Sequence, residues 1–471
     1  MGAGSPIVVS MTADETAAVL VSATHSGAGK TTATATLIRA LRARGLRIQP
    51  FKLGPDFIDG AYHDEAADRP AFNLDLWMMG EEGVRDAFRR GARDADVAVI
   101  EAMGALYDGA DGGERGSAAE VAKLLGLPVV LVIDVWGMTR TAAAVLEGMR
   151  GFDPGVRISG IILNRVGSDR HRQMVEEALP SELRRQVVGA IPHDPGLEIP
   201  ERHLGLLTAQ ENGTAGGARR AAQQRAGEEL DLDHLLSIAG FKGDAGGAKP
   251  RPIPSRARPR ARLAIARDRA FCFYYEDNLR LLAEAGFELV PFRPTLDPRL
   301  PGNVDAIYLG GGYPEAFAAD LAANESLAAE LRDHAEKGVP IYAECGGLIY
   351  LSRSLVDFDG TRYPMSGVLP LDVAMDPAHL AISYVEVRTR ASSPLGRAGT
   401  TVRGQEFHQS RVVDADLEPS LFELTTSEGA TRLDGYHRGG VLASYVHLHF
   451  GSAPGVAESF LAAALSPKPG A

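Results

Sequence analysis

Cysteine is almost missing from this chain, which has only Cys272 and Cys345 among 471 residues. Two cysteines exclude a disulfide framework and favour a reducing compartment, so we expect a cytoplasmic protein. Long hydrophobic runs are missing too, since a run such as Leu127–Val135 is too short to cross a bilayer. No basic segment precedes an apolar core near the N-terminus, so we expect neither a signal peptide nor a membrane partner.

Positive charge is in the minority, with 49 Lys and Arg against 61 Asp and Glu and a formal net charge of -12. A general nucleic-acid binder needs an excess of cationic side chains to displace counterions, so no nucleic-acid partner is expected. A local basic pocket for an acidic ligand stays compatible with this balance. Hydrophobic residues make up 45% and charged residues 23%, which is ordinary globular composition in a chain long enough for two or three domains.

Two stretches of the chain alternate short hydrophobic runs with helical patterns. The runs of the first stretch are Ala17–Ala23, Val97–Ile100, Val129–Ile133 and Ile158–Leu163. The runs of the second stretch are Leu263–Ala266, Leu289–Phe292, Ala306–Leu309 and Val339–Tyr342. Continuous apolar strands separated by helices are typical of parallel sheets buried on both faces. The sequence therefore predicts two α/β domains, the first of them doubly wound.

The segment between the two stretches has a different composition, with Gly-Gly and Gln-Gln pairs followed by a run rich in Arg and Pro. Such composition is typical of a solvated linker, and the acidic balance of the chain disfavours a nucleic-acid tail. We therefore expect a flexible tail at 1–15, a first domain at 16–210, a linker at 211–260 and a second domain at 261–466. One short helix is expected within the linker, at Leu230–Ala239.

A glycine-rich phosphate-binding loop follows the first strand, at residues 24–31 (THSGAGKT). Its glycines let backbone N–H groups turn toward phosphate oxygens, and Lys30 would reach the β and γ phosphates. The strict motif has Gly where Thr24 stands. A βα turn that merely packs would leave Lys30 unexplained, so the loop predicts nucleotide binding. The expected nucleotide-binding residues are Ser26, Gly27, Gly29, Lys30, Thr31 and Thr32.

Two carboxylates follow strands of the same domain and are predicted to hold Mg²⁺ together with the Thr31 hydroxyl. Asp56 comes after an extended run, and Glu101 ends the strand at Val97–Ile100. Ligands bind beyond the carboxyl ends of the strands in open α/β sheets, and Mg²⁺ favours one or two carboxylates with phosphate and water. A helix cap is the alternative for Asp56, and a strand-end charge for Glu101. Asn164 is expected at the adenine edge, with a turn residue as the alternative.

Cys345 stands where a strand runs into a tight turn before a helical stretch, which is the geometry of a nucleophile elbow. His447, at another strand end, would complete a nucleophilic dyad. Backbone N–H groups at Gly311, Gly312 and Gly346 are expected to bind an oxyanion. Cys272 has aromatic neighbours and no elbow, so a packing role is expected for it.

These motifs together resemble the cobyrinic acid a,c-diamide synthase family, including its hydrogenobyrinic acid and nickel-sirohydrochlorin counterparts. The resemblance rests on residues 52–59 (KLGPDFID), 73–78 (NLDLWM), 106–109 (LYDG), 310–315 (GGGYPE), 343–347 (AECGG) and 445–450 (YVHLHF). It implies a P-loop domain similar to dethiobiotin synthetase, followed by a domain similar to class I glutamine amidotransferases. The resemblance does not fix the oligomeric state, and a homodimer is one option.

The resemblance also implies a reaction. ATP phosphorylates an acetate carboxylate of a tetrapyrrole, glutamine is hydrolysed through a Cys345 thioester, and the ammonia travels internally to displace phosphate. A second round amidates a second carboxylate. ATP and L-glutamine are then co-substrates and Mg²⁺ the cofactor. In triad-type amidotransferases a Glu stands two residues after the catalytic His; here that position is His449, which is the rival of His447 as the base.

Departures from the family pattern concern the acid substrate. Gln405 replaces a usual His, and residues 101–105 (EAMGA) replace a glycine-rich stretch. Nickel-sirohydrochlorin or another polycarboxylate is therefore an alternative substrate, and a non-catalytic nucleotide-binding regulator is a remote alternative. Trp77 would stack on a macrocycle or belong to a core, and Arg140 and Arg165 would neutralise acetates or face solvent. The expected substrate residues are Lys52, Asp59, Tyr62, His63, Asn73 and Asp75.

Overall fold

The contacts within the chain define two compact units. The computed structural model describes residues 16–199, 215–243 and 258–467. One unit, called here the P-loop unit, comprises Met1–Ala71 and Phe88–Pro252; the other, the elbow unit, comprises Phe72–Ala87 and Ile253–Ala471. Residues 72–87 therefore belong with the C-terminal part of the chain, whereas the sequence placed them in the first domain. The expected tail at 1–15 lies outside the described residues.

The N-terminal half of the chain alternates strands and helices. Its strands are β1 (Ala17–Ala23), β2 (Ile48–Leu53), β3 (Phe72–Leu74), β4 (Val97–Glu101), β5 (Val129–Asp134), β6 (Ile158–Val166) and β7 (Val187–Pro192). Its helices are α1 (Lys30–Ala43), α2 (Ile58–Ala67), α3 (Leu76–Ala92), α4 (Ala118–Leu125), α5 (Arg140–Phe152), α6 (Asp169–Ala178), α7 (Ser181–Arg185), α8 (Ala215–Gly227) and α9 (Leu232–Ala239).

Parallel strands form the sheet of the P-loop unit, in the order β2-β4-β1-β5-β6-β7. Every residue of β1 and β4 is buried, as expected for a sheet covered on both faces. The register pairs Lys52 on β2 with Glu101 on β4, and Glu101 with Val21 on β1. This arrangement brings the carboxyl ends of β1, β2 and β4 to one edge of the sheet, where ligands bind in this class of fold.

The expected linker contains two helices rather than one. The predicted short helix is present as α9, which begins after Asp231, whose side chain accepts a hydrogen bond from the backbone N–H of His234. Helix α8 was not predicted, because its sequence mixes alanines with Gly, Gln and Arg and has no clear apolar face. Ala222 and Ala226 of α8 nevertheless join the hydrophobic core of the P-loop unit, together with Leu235 of α9. Residues 211–214 and 244–257 of the expected linker lie outside the described residues.

Three sheets form the elbow unit. The bounds of its strands are β8 (Ala261–Ala266), β9 (Phe287–Phe292), β10 (Ala306–Leu309), β11 (Ile341–Glu344), β12 (Ser354–Val356), β13 (Arg362–Pro364), β14 (Leu371–Met375), β15 (Ala381–Thr389), β16 (Thr401–His408), β17 (Ser410–Ala415), β18 (Phe422–Thr426), β19 (Thr431–Asp434), β20 (Tyr436–Arg438), β21 (Val441–Ser444) and β22 (His447–Leu448). Its remaining helices are α10 (Glu276–Ala285), α11 (Ala318–Ala323), α12 (Glu325–Glu336), α13 (Gly346–Leu351) and α14 (Gly455–Leu465).

The first of these sheets has the order β20-β21-β11-β10-β8-β9 and is parallel except for the hairpin of β20 and β21. A four-stranded sheet, β13-β12-β14-β17, and a five-stranded sheet, β19-β18-β15-β16-β22, are mostly antiparallel. The predicted α/β class is confirmed, and the two smaller sheets are additions to it. In the described part of the chain, no helix is both long and apolar enough to cross a membrane.

Candidate functional site

The phosphate-binding loop lies between β1 and α1, as the sequence predicts. Gly27 and Gly29 have φ angles of 82° and 85°, in the left-handed region that favours glycine. Helix α1 begins at Lys30, directly after Gly29. The side chain of Lys30 is buried, and burial lowers its pKa. A buried cation at the N-terminus of a helix is suited to an anionic ligand such as a phosphate chain.

Asn164 holds this loop from the end of β6. Its side-chain Nδ2 donates a hydrogen bond of 2.8 Å to the carbonyl oxygen of Ala28. A Cβ atom on Gly29 would lie 2.2 Å from the same Nδ2, so the approach of Asn164 to the loop also requires glycine there. The contact of Asn164 with an adenine edge stays a prediction, and the structure adds a loop-holding contact to it.

A cavity of about 810 Å³ opens beside the loop within the P-loop unit. Its lining includes all the predicted nucleotide and metal residues and two of the predicted substrate residues: Ser26, Gly27, Gly29, Lys30, Thr31, Thr32, Lys52, Asp56, Asp59, Glu101 and Asn164. Residues that the sequence did not single out for this site, such as Met103 and His193, also line it. The cavity therefore gathers residues from the loop after β1 and from the ends of β2, β4, β6 and β7 around one volume.

A buried ion cluster forms one wall of the cavity. The Lys52 ammonium donates to Asp59 at 2.6 Å and to Glu101 at 2.9 Å, and Asp56 lies 3.8 Å away. Burial works against the charge of Lys52, but the neighbouring carboxylates hold its pKa above the usual range. Burial raises the pKa of Asp59 to about 7. Lys52 is thus a fixed cation that neutralises several carboxylates in a nearly dry site.

Glu101 is fully buried and has a partner on each carboxylate oxygen. Its Oε1 accepts from Lys52 and, at 3.1 Å, from the Thr31 hydroxyl, while its Oε2 contacts His63 Nε2. Burial opposes ionisation of Glu101, but the charges of Lys52 and His63 hold its pKa well below the usual range. The oxygens of Thr31, Glu101 and Asp56 line one cavity and are hard donors of the kind Mg²⁺ prefers. Both Glu101 oxygens already have protein partners, so the role of these three residues as Mg²⁺ ligands stays a prediction.

Asp56 also has a structural role of the kind considered as its alternative. Its Oδ1 accepts hydrogen bonds from the backbone N–H groups of Ile58 at 2.7 Å and Asp59 at 3.3 Å, at the start of α2. Its Oδ2 is the oxygen that faces Lys52. One carboxylate oxygen therefore caps the helix and the other is directed to the ion cluster.

Four predicted substrate residues are not among the described residues that line the cavity. Tyr62 and His63 are buried on α2, where the Arg219 guanidinium lies 4.9 Å from the centre of the Tyr62 ring. His63 contacts Glu101 through its Nε2 atom. Asn73 and Asp75 are buried in the elbow unit. All four side chains are buried within their own units. Direct contacts of these four residues with the substrate stay predictions.

The segment 72–87 is attached to strand β15 by aromatic and polar contacts within the elbow unit. The Tyr384 hydroxyl donates to Asp75 at 2.5 Å, and the Tyr384 ring stacks on Trp77 with centroids 5.0 Å apart. The Arg403 guanidinium lies 5.4 Å from the Trp77 ring centre and donates to the Trp77 carbonyl at 3.1 Å. Of the two interpretations of Trp77, these contacts favour a packed residue over a macrocycle platform.

Cys345 has the predicted elbow geometry. It stands between β11 and α13 with φ 48° and ψ -101°, a strained combination for a residue with a side chain. Its backbone N–H donates to the Ser444 carbonyl at 2.8 Å, which ties the elbow to β21. A Cβ atom on Gly347 would lie 2.3 Å from the Leu309 carbonyl oxygen, so the helix after the elbow needs glycine to approach β10.

His447 lies against the glycine-rich segment that follows β10. A Cβ atom on Gly311 would come within 2.2 Å of His447 Cε1, and one on Gly346 would lie 3.1 Å from the Gly312 nitrogen. The His447 imidazole therefore packs on Gly311, and Gly311 and Gly312 pack on Gly346, the residue that follows Cys345. The Gly311 N–H already donates to the Phe273 carbonyl at 3.2 Å, so this N–H is engaged within the protein. The lack of a side chain at Gly311 is what makes room for the imidazole. Gly312 and Gly346 keep their predicted oxyanion role as an expectation.

The electrostatics of the pair describe a neutral resting state. Burial, with a smaller contribution from the charge of Glu315, raises the pKa of Cys345 to about 12. Burial lowers the pKa of His447 to about 3. Both side chains are therefore uncharged near neutral pH, and the thiol needs a base at the moment of attack.

His449, the rival base, is built into the turn after β22. Its Nδ1 accepts a hydrogen bond of 3.1 Å from the Gly451 N–H, and its ring lies 4.8 Å from that of Tyr275. These contacts give His449 a structural role, and they favour His447 as the base.

Glu344 is a buried charge beside the elbow that the sequence analysis did not single out. Its carboxylate accepts hydrogen bonds from the hydroxyls of Tyr308 and Tyr342 and from the backbone N–H of Leu448. Burial raises its pKa to about 7. A signal was present, since a Glu that ends an apolar strand directly before the nucleophile must find partners in the core.

Comparison with known proteins supports both halves of the site. Residues 19–207 match the CobQ/CobB/MinD/ParA nucleotide-binding domain family, and residues 262–455 match the CobB/CobQ-like glutamine amidotransferase domain family. A cobyrinate a,c-diamide synthase of Syntrophotalea carbinolica is 41% identical over 94% of this chain and 97% of its own length. One from Dehalococcoides mccartyi is 40% identical over 94% and 97%, and one from Methanosarcina acetivorans 39% identical over 95% and 94%.

The chain belongs to the cobyrinate a,c-diamide synthase family. Like the other members of that family it is a glutamine-dependent ligase with a P-loop nucleotide-binding domain and a glutamine amidotransferase domain. The remote alternative of a non-catalytic nucleotide-binding regulator is thereby wrong. The family membership also agrees with the resemblance inferred from the sequence motifs.

Proposed function

We propose that this chain amidates the a and c acetate carboxylates of cobyrinic or hydrogenobyrinic acid, with ATP and glutamine as co-substrates, in cobalamin biosynthesis. One observation carries the proposal. A P-loop cavity with a fixed lysine and a strained, buried cysteine elbow occur together in a chain that matches cobyrinate a,c-diamide synthases over nearly its full length. The first feature suits activation of a carboxylate and the second suits release of ammonia.

The elbow unit supplies the ammonia. The Cys345 sulfur attacks the carboxamide carbon of glutamine while His447 takes the thiol proton and passes it to the departing ammonia. The N–H groups of Gly312 and Gly346 stabilise the negative oxygen of the tetrahedral intermediate. Water then hydrolyses the thioester to glutamate. The raised pKa of Cys345 and the lowered pKa of His447 keep both groups neutral before the attack, so the thiol proton must move to the imidazole as the sulfur attacks.

The P-loop unit activates the acid. A carboxylate is a poor electrophile, and transfer of the γ-phosphoryl group of ATP to it gives an acyl phosphate with a good leaving group. Lys30 and Lys52 line the cavity, where their positive charges would offset the charge that develops on the phosphoryl oxygens. Thr31, Asp56 and Glu101 would hold Mg²⁺, which neutralises phosphate charge when bound.

Ammonia completes the reaction by displacing phosphate from the acyl phosphate. Free ammonia is mostly protonated at neutral pH, and the ammonium ion is not a nucleophile. Delivery inside the protein keeps the nucleophile unprotonated and protects the acyl phosphate from water. A second round on the other acetate gives the diamide.

Mass spectrometry of the product tests this proposal. The purified protein receives Mg-ATP and glutamine with cobyrinic acid, hydrogenobyrinic acid or nickel-sirohydrochlorin in separate reactions. We expect a doubly amidated product from one of the first two acids. Cys345→Ala is the matched control; it should lose synthesis with glutamine and keep it with ammonium salts.

Two results would contradict the proposal. A diamide formed from nickel-sirohydrochlorin alone would move the activity to that acid. Full glutamine-dependent synthesis by the Cys345→Ala variant would remove the elbow from the mechanism.

A further inference from the structure

A buried carboxylate lies directly behind the nucleophile and takes no part in the proposed reaction. Glu344 is the last residue of β11 and is 1% exposed. An uncompensated charge at such a position would be costly, so its partners define its role.

The first partner ties Glu344 to the strand of His447. Glu344 Oε1 accepts a hydrogen bond of 2.9 Å from the backbone N–H of Leu448, the residue that follows His447. Strand β11 belongs to the six-stranded sheet and β22 to the five-stranded sheet. One side chain therefore links the strand end that carries the nucleophile to the short strand that carries the base.

The other partners fix the carboxylate in place. The Tyr308 hydroxyl donates to Oε2 at 2.7 Å, and the Tyr342 hydroxyl donates to Oε1. These two tyrosines pair in register between β10 and β11, and their rings stack with centroids 5.0 Å apart. Three donors on one buried carboxylate leave it a single orientation, since each bond lost would expose an unsatisfied polar group.

The chain lacks the carboxylate that triad-type amidotransferases carry two residues after the base, because His449 occupies that position. Glu344 contacts the same segment through the backbone N–H of Leu448 and not through the imidazole ring. Its hydrogen bond therefore constrains where the base stands without contacting it.

We propose that Glu344 is a positioning residue that fixes the separation of Cys345 and His447 through its hydrogen bond to the Leu448 N–H. The inference rests on the proposed glutaminase role of Cys345 and His447. Because Glu344 touches the backbone beside the base, its loss alters the geometry of proton transfer and leaves the glutamine pocket in place. The effect belongs in kcat for glutamine hydrolysis and not in KM.

Two substitutions of similar size separate positioning from packing. Glu344→Met fills the volume without an oxygen acceptor, and Glu344→Gln keeps an oxygen for the Leu448 N–H. A misplacement of about 1 Å costs roughly a hundredfold in rate, so we expect kcat for glutamine hydrolysis to fall about that much in the Met variant. KM for glutamine should stay within about threefold, and the Gln variant should keep at least about a tenth of the wild-type kcat.

Two controls accompany these variants. Tyr308→Phe removes the partner of Oε2 and leaves the Leu448 bond, so its melting temperature should fall while kcat is retained. Ammonium-dependent amidation, which bypasses the elbow, should be unchanged in all three variants and reports an intact fold. If the Met variant loses that activity as well, the Gln variant alone decides, since a loss of more than about tenfold in its kcat contradicts the inference.

Other outcomes overturn the inference in separate ways. Wild-type kcat in a folded Glu344→Met variant would make Glu344 a packing residue. A rise in KM with unchanged kcat would place it in the glutamine pocket. If the wild-type protein hydrolyses no glutamine in the presence of Mg-ATP and its acid, the proposed function fails and the inference fails with it. If the wild type is active and only the variants behave differently from expectation, the inference alone fails.

Discussion

Asn164 holds the phosphate-binding loop and is also the residue predicted to contact the base of a nucleotide. Its amide nitrogen holds Ala28 of the phosphate loop, and its position at the end of β6 is where a base edge is expected. The two roles differ in which ligands they affect. A loop contact matters for any phosphate chain, whereas a base contact matters only for a nucleotide.

We predict that Asn164→Ala weakens ATP binding by about tenfold and binding of inorganic triphosphate by less, because only ATP has a base to lose. Isothermal titration calorimetry with both ligands measures this. Equal losses for the two ligands would leave Asn164 with the loop contact alone.

His447 makes stability depend on pH in a definite direction. Burial lowers its folded-state pKa to about 3, below the value of about 6.5 expected in the unfolded chain. As the pH falls below about 6.5 the unfolded chain binds a proton that the folded chain refuses, so the folded state loses stability down to about pH 3.

We predict that His447→Gln removes this loss, worth about 1 kcal/mol at pH 5.5. The melting temperatures of both proteins at pH 7.5 and 5.5 give the comparison, and the wild type should fall further. Parallel decreases in the two proteins would show that His447 is not buried as a neutral group.

At the scale of elements, the elbow depends on how closely α13 approaches β10. Gly347→Ala would push a Cβ atom to 2.3 Å from the Leu309 carbonyl, a backbone atom that cannot move aside. We predict a loss of glutaminase activity of roughly a hundredfold or more and a lower melting temperature.

Gly455→Ala is the matched control, since a Cβ atom there meets nothing within 4 Å at the start of α14. Glutaminase assays and thermal melts of both variants decide the matter. An active Gly347→Ala protein would mean that the elbow tolerates displacement of its helix.

Local motifs explain which elements were predictable. Strands β1 and β10 have the predicted bounds, because each is a short apolar run next to a glycine-rich turn. Lys30 and Cys345 could be singled out for a similar reason, because the residues next to each of them in the sequence form a recognisable motif. The α/β class followed from the same alternation of strands and helices.

Long-range pairings explain what was missed. The partners Asp75 and Tyr384 are 309 residues apart, and no spacing rule links them. Helix α8 was missed because its alanines become a buried face only when a core is present to receive them. The partners of Glu344 lie on three different strands, so its network depends on strand order, which the sequence does not state.

On the scale of the whole molecule, the membership of residues 72–87 in the elbow unit is the least expected feature. The Tyr384 hydroxyl is a donor to Asp75, whose carboxylate is 3% exposed and whose pKa is raised by burial. Removing the donor leaves a buried carboxylate with fewer partners, at a cost of about 1–3 kcal/mol.

We predict that Tyr384→Phe speeds amide hydrogen exchange in residues 72–87 by local opening while the stacked ring on Trp77 is retained. Tyr363→Phe, on strand β13, is the control and should leave that segment unchanged. Mass-spectrometric hydrogen exchange on both proteins is the measurement. Unaltered exchange in the Tyr384→Phe protein would show that the aromatic stacking alone attaches the segment.

The attachment of residues 72–87 also limits how the gene can be divided. An open reading frame that starts at codon 253 would encode most of the elbow unit but leave out sixteen residues that the folded unit contains. Tyr384 and Arg403 would then present the surface that Trp77 and Asp75 cover in the full chain. A two-subunit version of this enzyme would therefore need that stretch fused to the fragment that starts at residue 253 or supplied as a synthetic peptide.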